Sequence, residues 1–292
     1  MKKINSSCLR DRWLSYKRDP KSLIQLIAVS LAALVTMSAL IFIIAYILIK
    51  GIPYLTPDLF AWEYNSDNVS LMPALINTLL MAVLSLLISV PAGIFSAIYL
   101  TEYAGRGNKL VGVVRITAET LSGIPSIVYG LFGAIFFVKY LSLQLSLISG
   151  ALTLAIMILP MIMRSTEEAL LAVPDSYREG SFGLGAGRLR TVFRIVLPPA
   201  VPGILSGIIL GMGRIVGESA ALIFTAGTVA EAAKSIFSSA RTLSVHMYVI
   251  SGEGLYINQA YATAVVLLVV VIILNALSSF AAKKLGGKNS NG

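Results

Sequence analysis

Residues 179–198 read EGSFGLGAGRLRTVFRIVLP, a polar, basic, glycine-rich stretch between two long apolar segments. Its punctuation is regular. Glu179-Gly180-Ser181 is followed by three residues and Gly185, then by nine residues and Ile195-Val196-Leu197-Pro198. Small residues at 180, 181, 183 and 185 would let a short helix approach a partner closely. Gly185 and Gly187 can adopt backbone angles closed to other residues and turn the chain. Arg188, Arg190 and Arg194 would surround that turn with charge. Pro198 and Pro199 suit the first turn of a following helix, where amide donors have no partner anyway. The stretch reads as a docking surface for another protein; the simpler alternative is a basic loop that only fixes topology.

The flanking sequence sets the class. Of 292 residues, 57% are hydrophobic and 13% charged, about half the charged share of a soluble domain. The apolar residues gather into six segments: Leu23 to Ile49, Leu71 to Leu100, Ile116 to Val138, Leu143 to Met163, Ala200 to Ala226 and Tyr261 to Ala282. Each is near the roughly 20 residues that cross a bilayer as a helix. The expected fold is all-α and polytopic, with six transmembrane helices. Strands of a membrane barrel would alternate apolar and polar residues instead. The first segment is too long for a signal peptide and no small-residue cleavage site follows it cleanly, so a retained helix is expected.

Eighteen of the 23 Lys and Arg residues fall in the two tails and in the second-to-third and fourth-to-fifth connections; only Lys50, Lys139, Lys234 and Arg241 fall in the others. This bias places both termini and residues 179–198 in the cytoplasm. The net charge of +9 then reflects topology and anionic lipid rather than nucleic acid. The organisation expected is a basic tail (1–22), a first helix and external loop (23–70), a membrane domain (71–282) with its cytoplasmic loop at 164–199, and a second tail (283–292).

Two external connections differ in character. Residues 51–70 carry Pro53, Pro57, Trp62 and Tyr64 and read as an ordered, partly interfacial loop. Residues 227–260 include a helix-like stretch, Val229 to Ala240, with Glu231 and Lys234 at i,i+3 spacing; this loop is read either as a gate at a pore mouth or as a shield over it.

Several sites are excluded. The single cysteine, Cys8, permits neither an intrachain disulfide nor a thiolate metal cluster, and the lone His246 does not make a metal site. Gly183-x-Gly185-x-Gly187 is not a phosphate-cradling loop, since it follows no strand and no Gly-Lys-Ser/Thr occurs in the chain. No cofactor is expected on this chain, and ATP with Mg would belong to a partner.

The fifth segment carries Arg214 and Glu218 at membrane depth, where ionisable groups are costly and face a bundle interior or a water-filled path. On one continuous helix, at about 100° per residue, Gly203, Gly207, Gly211, Arg214, Glu218 and Thr225 would share about 80° of arc. Two readings follow. The glycines form a small-residue packing seam and Arg214–Glu218 a buried pair holding subunits together; or Arg214 offers its guanidinium to a passing oxyanion, kept oriented by Glu218. In the third segment, Ser122 and Ser126 flank Pro125 as candidates for the lining of the path. Arg115 and Glu119 fit the start of a helix lying at the interface.

The spacing at 179–198 resembles the EAA loop of ABC-importer permeases, in which Glu-Ala-Ala, three residues, Gly, nine residues and Ile-x-Leu-Pro recur. Glu179, Gly185, Ile195, Leu197 and Pro198 match in place, with Gly180 and Ser181 for the two alanines. Two further stretches, 122–133 (SGIPSIVYGLFG) and 213–227 (GRIVGESAALIFTAG), resemble the third- and fifth-helix signatures of phosphate-importer permeases. The Ala-Ala-Leu-Ile-Phe-Thr-Ala run and Leu243-Ser-Val-His-Met-Tyr248 are similar to the PstA type rather than its PstC partner. The resemblance implies the type I importer architecture, a heterodimer with a PstC-type subunit, two PstB-type ATPase subunits and an external phosphate-binding protein. It implies that residues 179–198 hold a coupling helix for the ATPase, and that the Arg–Glu pair takes part in phosphate passage. The function expected is a transport subunit without enzymatic activity of its own. The alternatives are a permease for molybdate, tungstate or sulfate, or a passive channel.

Overall fold

The structure, a computed structural model, describes residues 20–105 and 107–287. Cys8, Arg106, Lys288 and most of the basic N-terminal tail lie outside the described residues. The chain divides at Lys50 into two units. The first contains all but the last residue of helix α1 (Pro20–Gly51), which includes the whole first apolar segment.

The second unit opens with two short 3₁₀ turns, Ile52–Tyr54 and Pro57–Phe60, each begun by a proline in its first turn. Asn65 and Asn68 then lock the loop. The Asn65 side chain accepts from the Asp67 and Asn68 amides, and that of Asn68 from the Asn65 and Ser70 amides. The loop is ordered, as its composition suggested.

There follow α2 (Met72–Ile98), α3 (Lys109–Ser122), α4 (Ser126–Gly133) and α5 (Leu147–Leu171). Next come α6 (Asp175–Gly183), α7 (Arg188–Thr191), α8 (Leu197–Gly217), α9 (Ala220–Thr225), α10 (Leu243–Glu253) and α11 (Ile257–Gly287). π-helical turns extend α2 (Tyr99–Tyr103) and α4 (Ala134–Tyr140) and join α7 to α8 (Val192–Val196). Among the described residues there is no strand. Five helical stretches are long and apolar enough to cross a membrane, and six spans result if the bent pair α3–α4 counts as one.

Two of the expected spans are broken. The third turns by 103° between α3 and α4, at Gly123-Ile124-Pro125. Proline disfavours helical angles in the residue before it and lacks a donor amide. The fifth ends as a helix at Gly217. Glu218 is extended (φ −77°, ψ 128°), and a new short helix starts after Ser219. The stretch Val229 to Ala240 is not helical, although Glu231 and Lys234 do pair at 3.7 Å on its surface.

α5 is the central pillar. Leu154, Ile158 and Ile162 on it are fully buried and join Met81 of α2, Tyr129 of α4, Ile215 of α8 and Leu222 of α9 in one apolar cluster. A second cluster at the other end of α5 unites Ala97, Ile98 and Leu100 with Leu170, Val173, Val192, Val196 and Ile204. α8 runs antiparallel along α5. A Cβ at Gly203 would lie 2.6 Å from that of Ala169, and one at Gly207 2.5 Å from that of Ser165, whereas Gly211 has ordinary space around it. The Ser165 hydroxyl donates to the Gly203 carbonyl at 3.1 Å. The glycine seam therefore exists, and it packs within this chain.

The non-helical segment 227–242 is pinned into the bundle. Asn77 of α2, fully buried, donates to the Glu231 and Arg241 carbonyls and accepts from the Ala233 amide. The Ser146, Leu147 and Ile148 amides, which a helix start leaves without intrahelical partners, donate to the carbonyls of Thr225, Ser238 and Ile236. The segment thus caps α5.

Candidate functional site

A cavity of about 660 Å³ runs beside the C-terminal part of α5, from Pro160 to Leu171, between α3 and α8. Its lining carries three arginines (115, 164 and 214) and three glutamates (119, 167 and 168), with Ser122 and Ser165. α3 supplies Arg115 and Glu119 one turn apart, on the face toward α5. Asn108 caps this helix by accepting from the Leu110 amide.

The charges are not equivalent. Arg115 pairs with Glu167 at 2.5 Å, and Arg164 with Glu168 at 3.0 Å and Glu119 at 3.4 Å. Among the described residues no carboxylate pairs with Arg214. Arg214 is partly buried, in the last turn of α8. Glu218 follows after the helix has ended, so the two do not form the i,i+4 pair expected. The Glu218 carboxylate is turned into the bundle, where it accepts from the Ala221 amide at 3.1 Å. Its backbone carbonyl accepts from the Ser244 hydroxyl at 2.5 Å. Glu218, just before the Ser219 start of α9, is thus tied to α9 and α10 and does not pair with Arg214.

The other proposed path residues divide. Ser122 lines the cavity, its hydroxyl donating to the Glu119 carbonyl. Ser126, partly buried in the first turn of α4, is not among the cavity's lining residues. Thr225 is fully buried, donates to the Ala221 carbonyl at 2.8 Å and packs against Gly133, so it belongs to the core. Ion pairs of Arg115 with Glu167 and of Glu119 with Arg164 join α3 to α5. Arg164, Glu167 and Glu168 went unrecognised in the sequence, although ionisable groups at i,i+3 and i,i+4 spacing ending an apolar segment were a visible signal.

The segment 175–198 lies next to this cavity along the chain. α6 is a nine-residue helix with no buried residue, and Gly185 after it has φ +80°, a left-handed conformation that glycine adopts without strain. Gly187 has ordinary extended angles, so only Gly185 makes the turn. A Cβ at Gly180, Gly183 or Gly185 would meet open space. Gly180 and Gly185 border a shallow concavity of about 480 Å³ with Tyr177, Ser181, Leu184, Arg190, Arg194 and Ile195. Leu184 is 91% exposed. Glu179 is exposed beside it, and Leu197 and Pro198 begin α8.

Residues 89–288 match the family described as binding-protein-dependent transport system inner membrane component. The chain belongs to this family. It is 33% identical over 264 residues to a probable ABC transporter permease protein, YqgI, of Bacillus subtilis, covering 84% of this chain and 89% of the relative. Over 205 residues it is 35% identical to the phosphate transport system permease protein PstA 1 of Mycobacterium tuberculosis strain H37Rv, 69% of this chain and 66% of that one. A phosphate transport system permease protein PstA of Mycobacterium leprae is 39% identical over 154 residues, 53% of this chain and 50% of that one. The fold is that of solved importers. A bacterial ABC transporter involved in alginate import superposes with TM-score 0.65 at 17% identity, over 93% of this chain and 98% of that one. The MetNI methionine transporter does so with TM-score 0.57 at 19% identity, over 74% and 94%. The chain is accordingly a multi-pass membrane transport component.

Proposed function

We propose that this chain is one of the two permease subunits of an ATP-driven importer of inorganic phosphate. Arg214 carries the reading: it is the cation without a carboxylate partner in the cavity that α3, α5 and α8 enclose. A guanidinium offers a planar fork of donors that suits a tetrahedral oxyanion, and the neighbouring arginines are already neutralised. Phosphate is preferred to molybdate, tungstate or sulfate because several relatives are phosphate permeases by name.

The exposed surface around Gly180, Leu184 and Gly185 seats in a cytoplasmic ATPase, and ATP and Mg bind there. A PstC-type subunit completes the path and an external phosphate-binding protein delivers the ion. Both termini are cytoplasmic. ATP-driven closure of the ATPase pair moves α6, and α8, which follows through Leu197 and Pro198, carries the movement to Arg214.

Arg214→Gln removes the charge and leaves a shorter, uncharged amide donor in its place. It is expected to abolish phosphate uptake while the complex still co-purifies. Loss of the complex instead would make Arg214 a structural residue.

A further inference from the structure

α6 has no buried residue of its own, yet it must move as one body with the membrane helices if it is to drive them. The Ser181 hydroxyl ties it to Thr191 of α7 at 2.8 Å, and one charged side chain ties it to α2 and α5. Arg178, a residue with only 15% of its side chain exposed, reaches from α6 to Glu102 in the π-helical turn that ends α2, at 2.7 Å; the Glu102 side chain is 8% exposed. The guanidinium holds both carboxylate oxygens. It also donates to the Leu170 carbonyl at 2.9 Å and the Val173 carbonyl at 2.8 Å, and pairs with Asp175 at 3.2 Å. Leu170 lies in the last turn of α5, where carbonyls lack intrahelical partners. The ends of α2 and α5 and the start of α6 therefore meet on one guanidinium, above the apolar cluster of Ile98, Leu100, Leu170 and Val173.

We propose that Arg178 and Glu102 are positioning residues for energy coupling: together they lock α6 to α2 and α5, so that force on α6 is transmitted rather than absorbed by the link Ala172-Val173-Pro174. This rests on the reading of α6 as the ATPase contact. The geometry favours a rigid clamp over an incidental ion pair because the pair is largely buried and bidentate, joins residues 76 apart in sequence, and also engages the end of α5. Lysine has one nitrogen and cannot hold the carboxylate fork and two carbonyls together. Glutamine at 102 keeps the size but lowers the strength of the contact.

The test uses the co-purified complex in proteoliposomes with inorganic phosphate and the binding protein, measuring phosphate moved per ATP hydrolysed. Glu102→Gln and Arg178→Lys are expected to co-purify with the ATPase and still hydrolyse ATP, with phosphate moved per ATP reduced at least tenfold. Glu102→Asp, which keeps the charge, should recover part of the loss. Gly185→Trp, run in parallel, obstructs the ATPase-facing turn itself. If Gly185→Trp abolishes transport while both clamp variants keep the parental ratio, the clamp is refuted and the ATPase contact stands. If Gly185→Trp also transports normally, the underlying reading of α6 fails. Failure of both clamp variants to assemble would make the pair a folding element and overturn the proposal.

Discussion

Arg214 and Glu218 are four residues apart, and the backbone between them decides what each does. Helical spacing made them a pair; the structure separates them because α8 ends at Gly217. Glycine is a weak helix former, and a buried carboxylate without donors is costly, so Glu218 leaves the helix and takes the Ala221 amide. The run Gly217-Glu218-Ser219 contained that signal, since an acidic residue and a serine are favoured where helices start. A second residue-scale expectation concerns His246. It is 1% exposed, its Nε2 has no hydrogen-bond partner among the described residues, its ring meets Tyr64 edge-on, and Arg241 lies over the same Tyr64. Burial first, and the Arg241 charge second, hold its pKa down at about 4; the Val69 backbone opposes this. An unfolded histidine protonates below about 6.5, so the folded state binds fewer protons between these values. Stability is then complete above pH 6.5 and falls by up to about 3 kcal/mol as pH drops to 4. Protection factors for amide exchange in residues 241–250, taken relative to the slower intrinsic exchange at low pH, should fall over that range, and His246→Asn should flatten the dependence. An equal slope in the variant would contradict this.

At the scale of elements, periodicity located the apolar segments and missed where they break. Pro125 announced the bend between α3 and α4, but proline is also tolerated in membrane helices, where neighbours satisfy the freed groups. Loop 227–242 had no local signal at all, because Asn77 and the start of α5, far away in sequence, hold it. The glycine seam was legible, though not its partner. Gly207→Val should weaken α8 against α5 by about 1–3 kcal/mol, as added volume in a packed site does, because Ser165 leaves no room. Gly211→Ala should be tolerated, its neighbours standing 3.8 Å from a new Cβ. Thermal aggregation of the detergent-solubilised complex distinguishes the two, and equal loss in both would refute the assigned contacts.

For the whole molecule, the family was legible from residues 179–198 and two signatures, because a docking segment must present fixed residues at fixed spacing. The charge balance of the cavity was not legible. It depends on which arginine of three finds a carboxylate, and α3, α5 and α8 bring those groups together from positions 115 to 214. The central claim is that ATP hydrolysis on a partner drives phosphate past Arg214. The most direct measurement is uptake of radiolabelled phosphate into proteoliposomes holding the co-purified complex, with binding protein outside and ATP inside. Accumulation is predicted only with ATP, undiminished by excess molybdate or sulfate and lost in Arg214→Gln. Accumulation without ATP, or selective uptake of another oxyanion, would contradict the account.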